Sequence, residues 1–513
     1  MDDDVPASLA AASSLVRRVW MGEARGYGVV AARALAEGER LFEEYPLIAM
    51  QHEANRAAGV QVCERCFAFL GPLEAQVGGL LRARGVALDV LPDKLPAVDG
   101  LPPLPTPVPC PGGCRLRFCS EACARATFGE HHRLLCPCLI GNSGMESEPA
   151  APTSKRGRPD AALLRAGIAR IEPPLEDALD TMRLSEVGGS SSAAAAAASS
   201  SAAAASGSLA AASGSSAAAI DVGDGGDAAA AEAGGSPGLT NLPSEPLPRF
   251  EAHAKQTNEI FLLAAKAVAG VLCKLEGMPA GAARHAAYAV AVAPYDGPLW
   301  WDAVATPDDV DDEGAFKRTL RALVTESWAL LASVLGPVAP ADCPLFASAD
   351  AYARIVGAFE RRNCAVQVAS PVEAYLLAVD ALPDGAHKAS VSALTTPLLD
   401  ALDEAYATPC DGTGLFPAQA TLNHSCVPNV SLVKEEDSAE ERDGRVVART
   451  TRAVAEGEEL CNPYVDVSLP LRRRRRELRE YGFECDCPRC VQELAAAAEK
   501  KAADKKAGKK RLK

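Results

Sequence analysis

The sequence predicts an α+β fold, and three observations carry that prediction. Short strand-like segments occupy residues 17–50 and return at 411–465. A long stretch between them, from about 247 to 405, has apolar residues at helical spacing. Two tight groups of cysteines, in 63–136 and 426–490, sit where the strand-rich pieces begin and end.

In the first strand-rich piece, Gly26-Tyr27-Gly28-Val29-Val30-Ala31-Ala32 reads as a turn followed by an apolar run. Glu37-Gly38-Glu39 is a second turn, and Arg40-Leu41-Phe42-Glu43-Glu44 is a strand leading into Tyr45-Pro46. The first cysteine block follows, and its residues 91–113 carry too many prolines for regular structure. Residues 185–240 are rich in Ser, Ala and Gly with almost no large apolar side chain, so they predict a disordered spacer inside a linker over 137–246. Helices are expected over Glu251 through Leu275 and Lys317 through Leu335. Gly414-Leu415-Phe416, Val430-Ser431-Leu432-Val433 and Arg445-Val446-Val447-Ala448 read as strands again. Residues 494–513, with eight Lys/Arg against two acids, read as a solvated tail.

At 513 residues the chain has room for two or three domains, and its net charge of −15 argues against non-specific nucleic-acid binding by the whole surface. Local basic patches leave direct nucleic-acid contact open. Neither a secretory leader nor an apolar run of membrane-spanning length is visible, so a soluble intracellular protein is expected, in the nucleus and/or the cytoplasm. In that setting clustered cysteines point to metal rather than to disulfides. Eleven of the seventeen cysteines are clustered.

The first block reads Cys63-x2-Cys66, Cys110-x3-Cys114, Cys119-x3-Cys123 and His132-x3-Cys136. Zinc takes four sulfur or nitrogen ligands tetrahedrally, and pairs two to four residues apart let one turn grip the ion. Eight candidates make two closed structural sites. The block, with Phe118-Cys119-Ser120-Glu121-Ala122-Cys123 and its terminal His-x3-Cys, resembles the MYND zinc module. That resemblance implies interleaved ligands: Cys63, Cys66, Cys119 and Cys123 on one ion, Cys110, Cys114, His132 and Cys136 on the other. His132 is preferred to His131 because it keeps the His-x3-Cys spacing. Forty-three residues separate Cys66 from Cys110, a departure from the usual short loop. A docking role toward a proline-rich peptide is a further implication.

Asn423-His424-Ser425-Cys426-Val427-Pro428-Asn429, then Tyr464, then Cys485-Asp486-Cys487-Pro488-Arg489-Cys490 form an ordered set. Together they resemble the core of a SET-domain lysine methyltransferase of the MYND-containing type. The stretch from Val356-Gly357-Ala358-Phe359-Glu360 through Ser370-Pro371-Val372-Glu373 to Tyr481-Gly482-Phe483 is similar to the plant and algal trithorax-related branch. The resemblance implies methyl transfer from S-adenosylmethionine to a protein lysine, with histone tails as the expected substrate. Non-histone proteins are the alternative substrate, and an inactive zinc-dependent interaction module is the rival from another class.

By the same resemblance Tyr464 is the catalytic residue, and Gly26, Tyr27, Gly28, Asn363, Asn423, His424 and Phe483 meet the cofactor. Tyr481 and Tyr464 line the lysine channel. Cys485, Cys487 and Cys490, joined by Cys426, are implied to bind a third zinc. Asn462-Pro463 stands where relatives have Ile-Ser or similar, which puts the loop beside the methyl group in question. The arginine run Arg472 to Arg476 reads as a solvated helix or an import signal, and the lysine-rich terminus as another import candidate. The expected organisation is 1–62 as the first part of the SET domain, 63–136 as the zinc module and 137–246 as the linker. Then come 247–410 as a helical insertion, 411–466 as the second part of the SET core, 467–490 as the post-SET segment and 491–513 as a basic tail.

Overall fold

The computed structural model describes residues 5–23, 25–140, 245–307, 310–432 and 442–511. The expected disordered spacer, 185–240, lies outside them.

Twelve short strands form four small sheets among the described residues. They are β1 (Val16–Trp20), β2 (Tyr27–Ala31), β3 (Arg40–Glu44), β4 (Ile48–Gln51), β5 (Val108–Pro109) and β6 (Arg117–Phe118). After these come β7 (Asn363–Val368), β8 (Cys410–Leu415), β9 (Asn423–His424), β10 (Val430–Ser431), β11 (Val446–Thr450) and β12 (Glu459–Asn462). The sheet orders are β1-β2-β12-β9, β10-β11-β3, β4-β8-β7 and β5-β6. Each of the three larger sheets joins strands from both sides of the cysteine block and insertion. The two strand-rich pieces of the sequence are thus one structure, with Leu9, Val29, Leu41, Phe42, Leu422, Val430 and Leu460 in a shared apolar cluster.

Helix α1 (Ala7–Ala11) lies by β1 and β3, and α2 (Glu53–Ala57) by β8. The first cysteine block contains α3 (Leu73–Ala83) and α4 (Glu121–Glu130) and is followed by α5 (Pro137–Ile140). The insertion contributes α6 (Pro246–Thr257), α7 (Ile260–Leu275), α8 (Ala282–Val292), α9 (Trp300–Ala303), α10 (Glu313–Leu335), α11 (Ala349–Arg362), α12 (Pro371–Asp380) and α13 (Ala386–Leu402). Last come α14 (Leu471–Glu480) and α15 (Pro488–Arg511). Apolar faces of α6, α7, α10 and α11 pack into one core holding Phe250, Phe261, Leu331, Tyr352 and Phe359, which reaches Ile48, Met50 and Leu415 on the β4-β8-β7 sheet. Local signals start several of these helices. Asp312 accepts the amide of Ala315 at the head of α10, and Ser370 accepts that of Glu373 ahead of Pro371 in α12.

Four features differ from expectation. The helix expected over Glu251–Leu275 breaks at Asn258, whose backbone is extended and whose side chain caps Ile260 by accepting its amide at 3.0 Å. The helical insertion contains a strand, β7, because Asn363 ends α11 and Val366 and Val368 alternate inward against β8. The long spacer between Cys66 and Cys110 is docked rather than looped out: α3 buries Val77, Leu80 and Leu81 against Val372, Tyr375 and Leu398. The boundary at 490 falls inside α15, which starts at Pro488, so the basic terminus is a solvated helix through its described side chains.

Candidate active site and metal centres

Strand β12 brings the separated motifs together. On one side Leu460 pairs with Val29 of β2; on the other, Cys461 and Asn462 run parallel to Asn423 and His424 of β9. The Gly26–Gly28 turn at the start of β2 therefore lies across from Asn423. Gly26 has φ +64°, and a Cβ on Gly28 would come within 2.8 Å of the Asn423 Nδ2 atom, so glycine is required for this approach. The Asn423 amide donates to Glu459 at 3.0 Å and more weakly to the Tyr27 carbonyl at 3.4 Å. Glu459 also pairs with Arg25 at 2.9 Å. This is a small polar cradle with a glycine beneath the Asn423 amide.

Two buried side-chain anchors escaped the sequence reading. Asn429 is 3% exposed, and its Oδ1 accepts the amide of Cys461 at 2.8 Å while its Nδ2 donates to the Glu459 carbonyl at 2.8 Å, latching the Ser425–Asn429 loop onto β12. Glu44, on β3, is buried and accepts the amides of Ala418 and Gln419 at 2.9 to 3.1 Å. Burial pushes its carboxyl up to about 7, against the pull of those two amides. Only the short Pro428-Asn429 turn hinted at the first; nothing local hinted at the second.

The aromatic side chains converge beside the cradle. Tyr464 lies 5.4 Å from His424, 5.1 Å from Tyr481 and 6.1 Å from Phe483, ring centre to ring centre, and His424 is 6.0 Å from Phe483. The Tyr464 hydroxyl donates to the Leu422 carbonyl at 2.7 Å, and Tyr481 donates to the Tyr464 carbonyl at 3.3 Å. Burial raises the Tyr464 phenol well above its ordinary value, so it stays protonated. The amide of Tyr464 donates to His424 Nδ1 at 2.9 Å. That bond requires Nδ1 to be the bare nitrogen, so Nε2 carries the proton and faces Cys426 Sγ at 3.3 Å. Burial and the nearby Arg474 charge hold His424 down to about 4, keeping the ring neutral. The proline at 463 removes no bond this site uses, because the amide donated here belongs to Tyr464. Asn363 is apart from this group: it opens β7 in a different sheet, in register with Leu415.

The twelve metal-ligand candidates fall into three groups of four: Cys63, Cys66, Cys119 and Cys123; Cys110, Cys114, His132 and Cys136; Cys426, Cys485, Cys487 and Cys490. In each the ligand atoms lie within 4.8 Å of one another. Tetrahedral zinc with Zn–S near 2.3 Å sets sulfurs about 3.8 Å apart. The observed Sγ–Sγ distances include 3.5 Å for Cys66–Cys119, 3.5 Å for Cys119–Cys123, 3.5 Å for Cys426–Cys490 and 4.0 Å for Cys426–Cys485. His132 Nε2 is 3.3 Å from Cys114 Sγ, whereas His131 and the exposed Cys138 stand outside the groups. Burial holds His132 down to about 4, the neutral form a metal requires. The donor sets and spacings fit zinc.

Arg474 overturns the reading of the arginine run as a plain solvated helix. It is 0% exposed, while Arg472, Arg473 and Arg476 are exposed.

The SET-domain family pattern matches residues 307–465, a span that ends one residue past Tyr464. The chain is 28% identical over 92% of its length to the histone-lysine N-methyltransferase ATXR2 of Arabidopsis thaliana, covering 89% of that protein. The chain carries a SET domain and is similar to SET-domain protein-lysine methyltransferases. Shorter matches are 41% identity to the histone-lysine N-methyltransferase SMYD3 of Mus musculus, over 15% of this chain and 17% of that protein, and 39% to the protein-lysine N-trimethyltransferase SMYD5 of Mus musculus, over 16% and 20%. The SET domain entails use of S-adenosylmethionine and a protein substrate, and the chain is related to the plant trithorax-related branch. Among the described residues no helix is long and apolar enough to cross a membrane.

Proposed function

We propose that this chain methylates histone lysines, with Tyr464 as its catalytic residue. The convergence of Tyr464, Tyr481, Phe483 and His424 beside Asn423 is the observation that carries the reading. The histone-lysine N-methyltransferases among its relatives support the substrate class. S-adenosylmethionine supplies the electrophilic methyl when bound, and the Gly28–Asn423 cradle, which an added Cβ would fill, suits its methionine end. Gly26, Tyr27, Gly28, Asn423 and His424 hold the cofactor, and Phe483 covers it.

Tyr464 and Tyr481 wall the lysine channel. A lysine amine ordinarily titrates near ~10.4, and only its neutral form has the lone pair to attack. A water-poor aromatic channel disfavours the ammonium, and the Tyr464 hydroxyl orients the amine at near-attack distance. The cysteine sets hold three zinc ions, two in the MYND-type module 63–136 and one tying 467–490 to the core. Four-ligand sites leave no open position for substrate, so the metal is structural. The segment limits are those expected from sequence, with the post-SET part continuing into α15. The zinc module is a docking platform for a proline-rich peptide, and the basic terminus is an address for the nucleus.

Purified zinc-loaded protein incubated with tritiated S-adenosylmethionine and histone octamers, beside ribosomal and cytosolic proteins, tests this. Label in the histones is expected. Tyr464→Phe should cut turnover about 100-fold or more, as loss of one positioned hydrogen-bonding group typically does, with cofactor affinity retained. Label confined to non-histone proteins overturns the substrate; no label and no cofactor binding reduces the chain to an interaction module.

A further inference from the structure

Arg474 has no part in the methyl-transfer chemistry, yet it is the largest fully buried side chain described in the molecule. A buried guanidinium needs a partner for each donor, since an unpaired one costs several kcal/mol. Its Nε faces Cys426 Sγ at 3.3 Å and Nη2 faces Cys490 Sγ at 3.8 Å. Nη1 donates to the Leu469 carbonyl at 2.6 Å, and Nη2 also donates to Glu493 on α15 at 2.7 Å. Glu493 in turn takes Arg489 at 2.7 Å, and Arg489 donates to the Val467 carbonyl at 2.7 Å.

We propose that Arg474 is the outer-sphere cation of the Cys426–Cys485–Cys487–Cys490 metal site, a positioning residue that holds the ion in place and locks α14 and α15 around it. The inference rests on the reading that this cluster holds zinc. Four thiolates around a divalent ion leave two excess negative charges in a buried site. Arg474 offsets one of them and donates to two of the four sulfurs, lessening the cost of keeping that charge out of water. Cys426 faces a second donor as well, the Nε2–H of His424, whose other nitrogen accepts the Tyr464 amide. One of the two sulfurs that Arg474 supports, Cys426 Sγ, is therefore the one that connects the metal site to the candidate catalytic tyrosine.

The test measures zinc content and the rate of zinc loss to a chromogenic chelator in the full chain. Wild type should hold three ions. In Arg474→Ala one ion should leave about 10- to 100-fold faster, the range typical for loss of an outer-sphere partner, while the two ions of the 63–136 sets leave at the wild-type rate. Arg474→Lys, which keeps the charge but cannot reach two sulfurs and a carbonyl together, should fall between. Arg476→Ala, on the exposed side of the same helix, should match wild type. A folded Arg474→Ala or Arg474→Lys protein that releases all three ions at wild-type rates overturns the role of Arg474 and leaves the metal site standing. Wild type with only the two ions of 63–136 overturns the metal reading, and the proposal with it.

Discussion

The two faces of the candidate site are held by different forces. The cradle face, Gly26–Gly28 with Asn423 and His424, is built on paired strands over an apolar cluster that includes Val29, Leu422 and Leu460. The covering face, which carries Tyr481 and Phe483, follows a single ten-residue helix, and its buried cluster is mostly the four cysteines with Val465 and Leu478. Backbone ladders and apolar burial hold the first face without help. The second has too little apolar area to fold alone, so it depends on ligands and on charge pairing.

Metal removal should break this contrast most completely. Chelation is expected to abolish turnover while leaving β2, β12 and β9 protected from hydrogen exchange, with fast exchange confined to the cysteine block and to 467–490. Hydrogen exchange followed by mass spectrometry reads both faces at once. Equal loss of protection in the cradle strands would show that the two faces are one cooperative unit.

The contrast also explains what was legible in the sequence. Ligand pairs such as Cys119 and Cys123, or Cys485 and Cys487, satisfy a requirement within one turn of chain, so spacing alone exposes them. Tyr464 was legible through its order after Asn423-His424. Asn429, Glu44 and Arg474 were not, because each acts on backbone or sulfur tens to hundreds of residues away: Asn429 on Cys461, Glu44 on Ala418, Arg474 on Cys426. Composition misleads for Arg474 in particular, since its exposed neighbours look the same in sequence. The strand β7 was lost for a related reason: its alternation is short, and the helices around it set the apparent period.

A smaller effect, confined to the cradle, is expected from Gly28→Ala. The new methyl would press on Asn423 Nδ2, Met21 Cγ and Glu459 Oε1, all side-chain atoms that can give way. Global stability should fall by only about 1 kcal/mol, at the low end for overpacking. Displacing the Asn423 amide should weaken cofactor binding roughly tenfold, equivalent to about 1.4 kcal/mol. Calorimetric titration with S-adenosylmethionine, paired with a thermal melt, separates the two. Equal affinity in both proteins would remove Asn423 from the cofactor site.

Glu44→Gln should have the smallest effect on turnover and the clearest signature in stability. The carboxyl is raised from 4.5 to about 7 in the folded chain, chiefly by burial. A raised acid means that the folded state binds the proton more tightly than the unfolded state. Its contribution is therefore full below pH 4.5 and is lost as the pH rises through about 7. The shift corresponds to on the order of 3 kcal/mol at most, since each pKa unit is worth about 1.4 kcal/mol. A glutamine at this position would carry no titrating group, keep an oxygen for the amides of Ala418 or Gln419, and show no such slope. Urea unfolding of both proteins from pH 5 to 8 should give a wild-type stability that declines relative to the variant and levels above pH 7. Parallel curves would mean that Glu44 stays ionised throughout, and that the two amides outweigh the cost of burial.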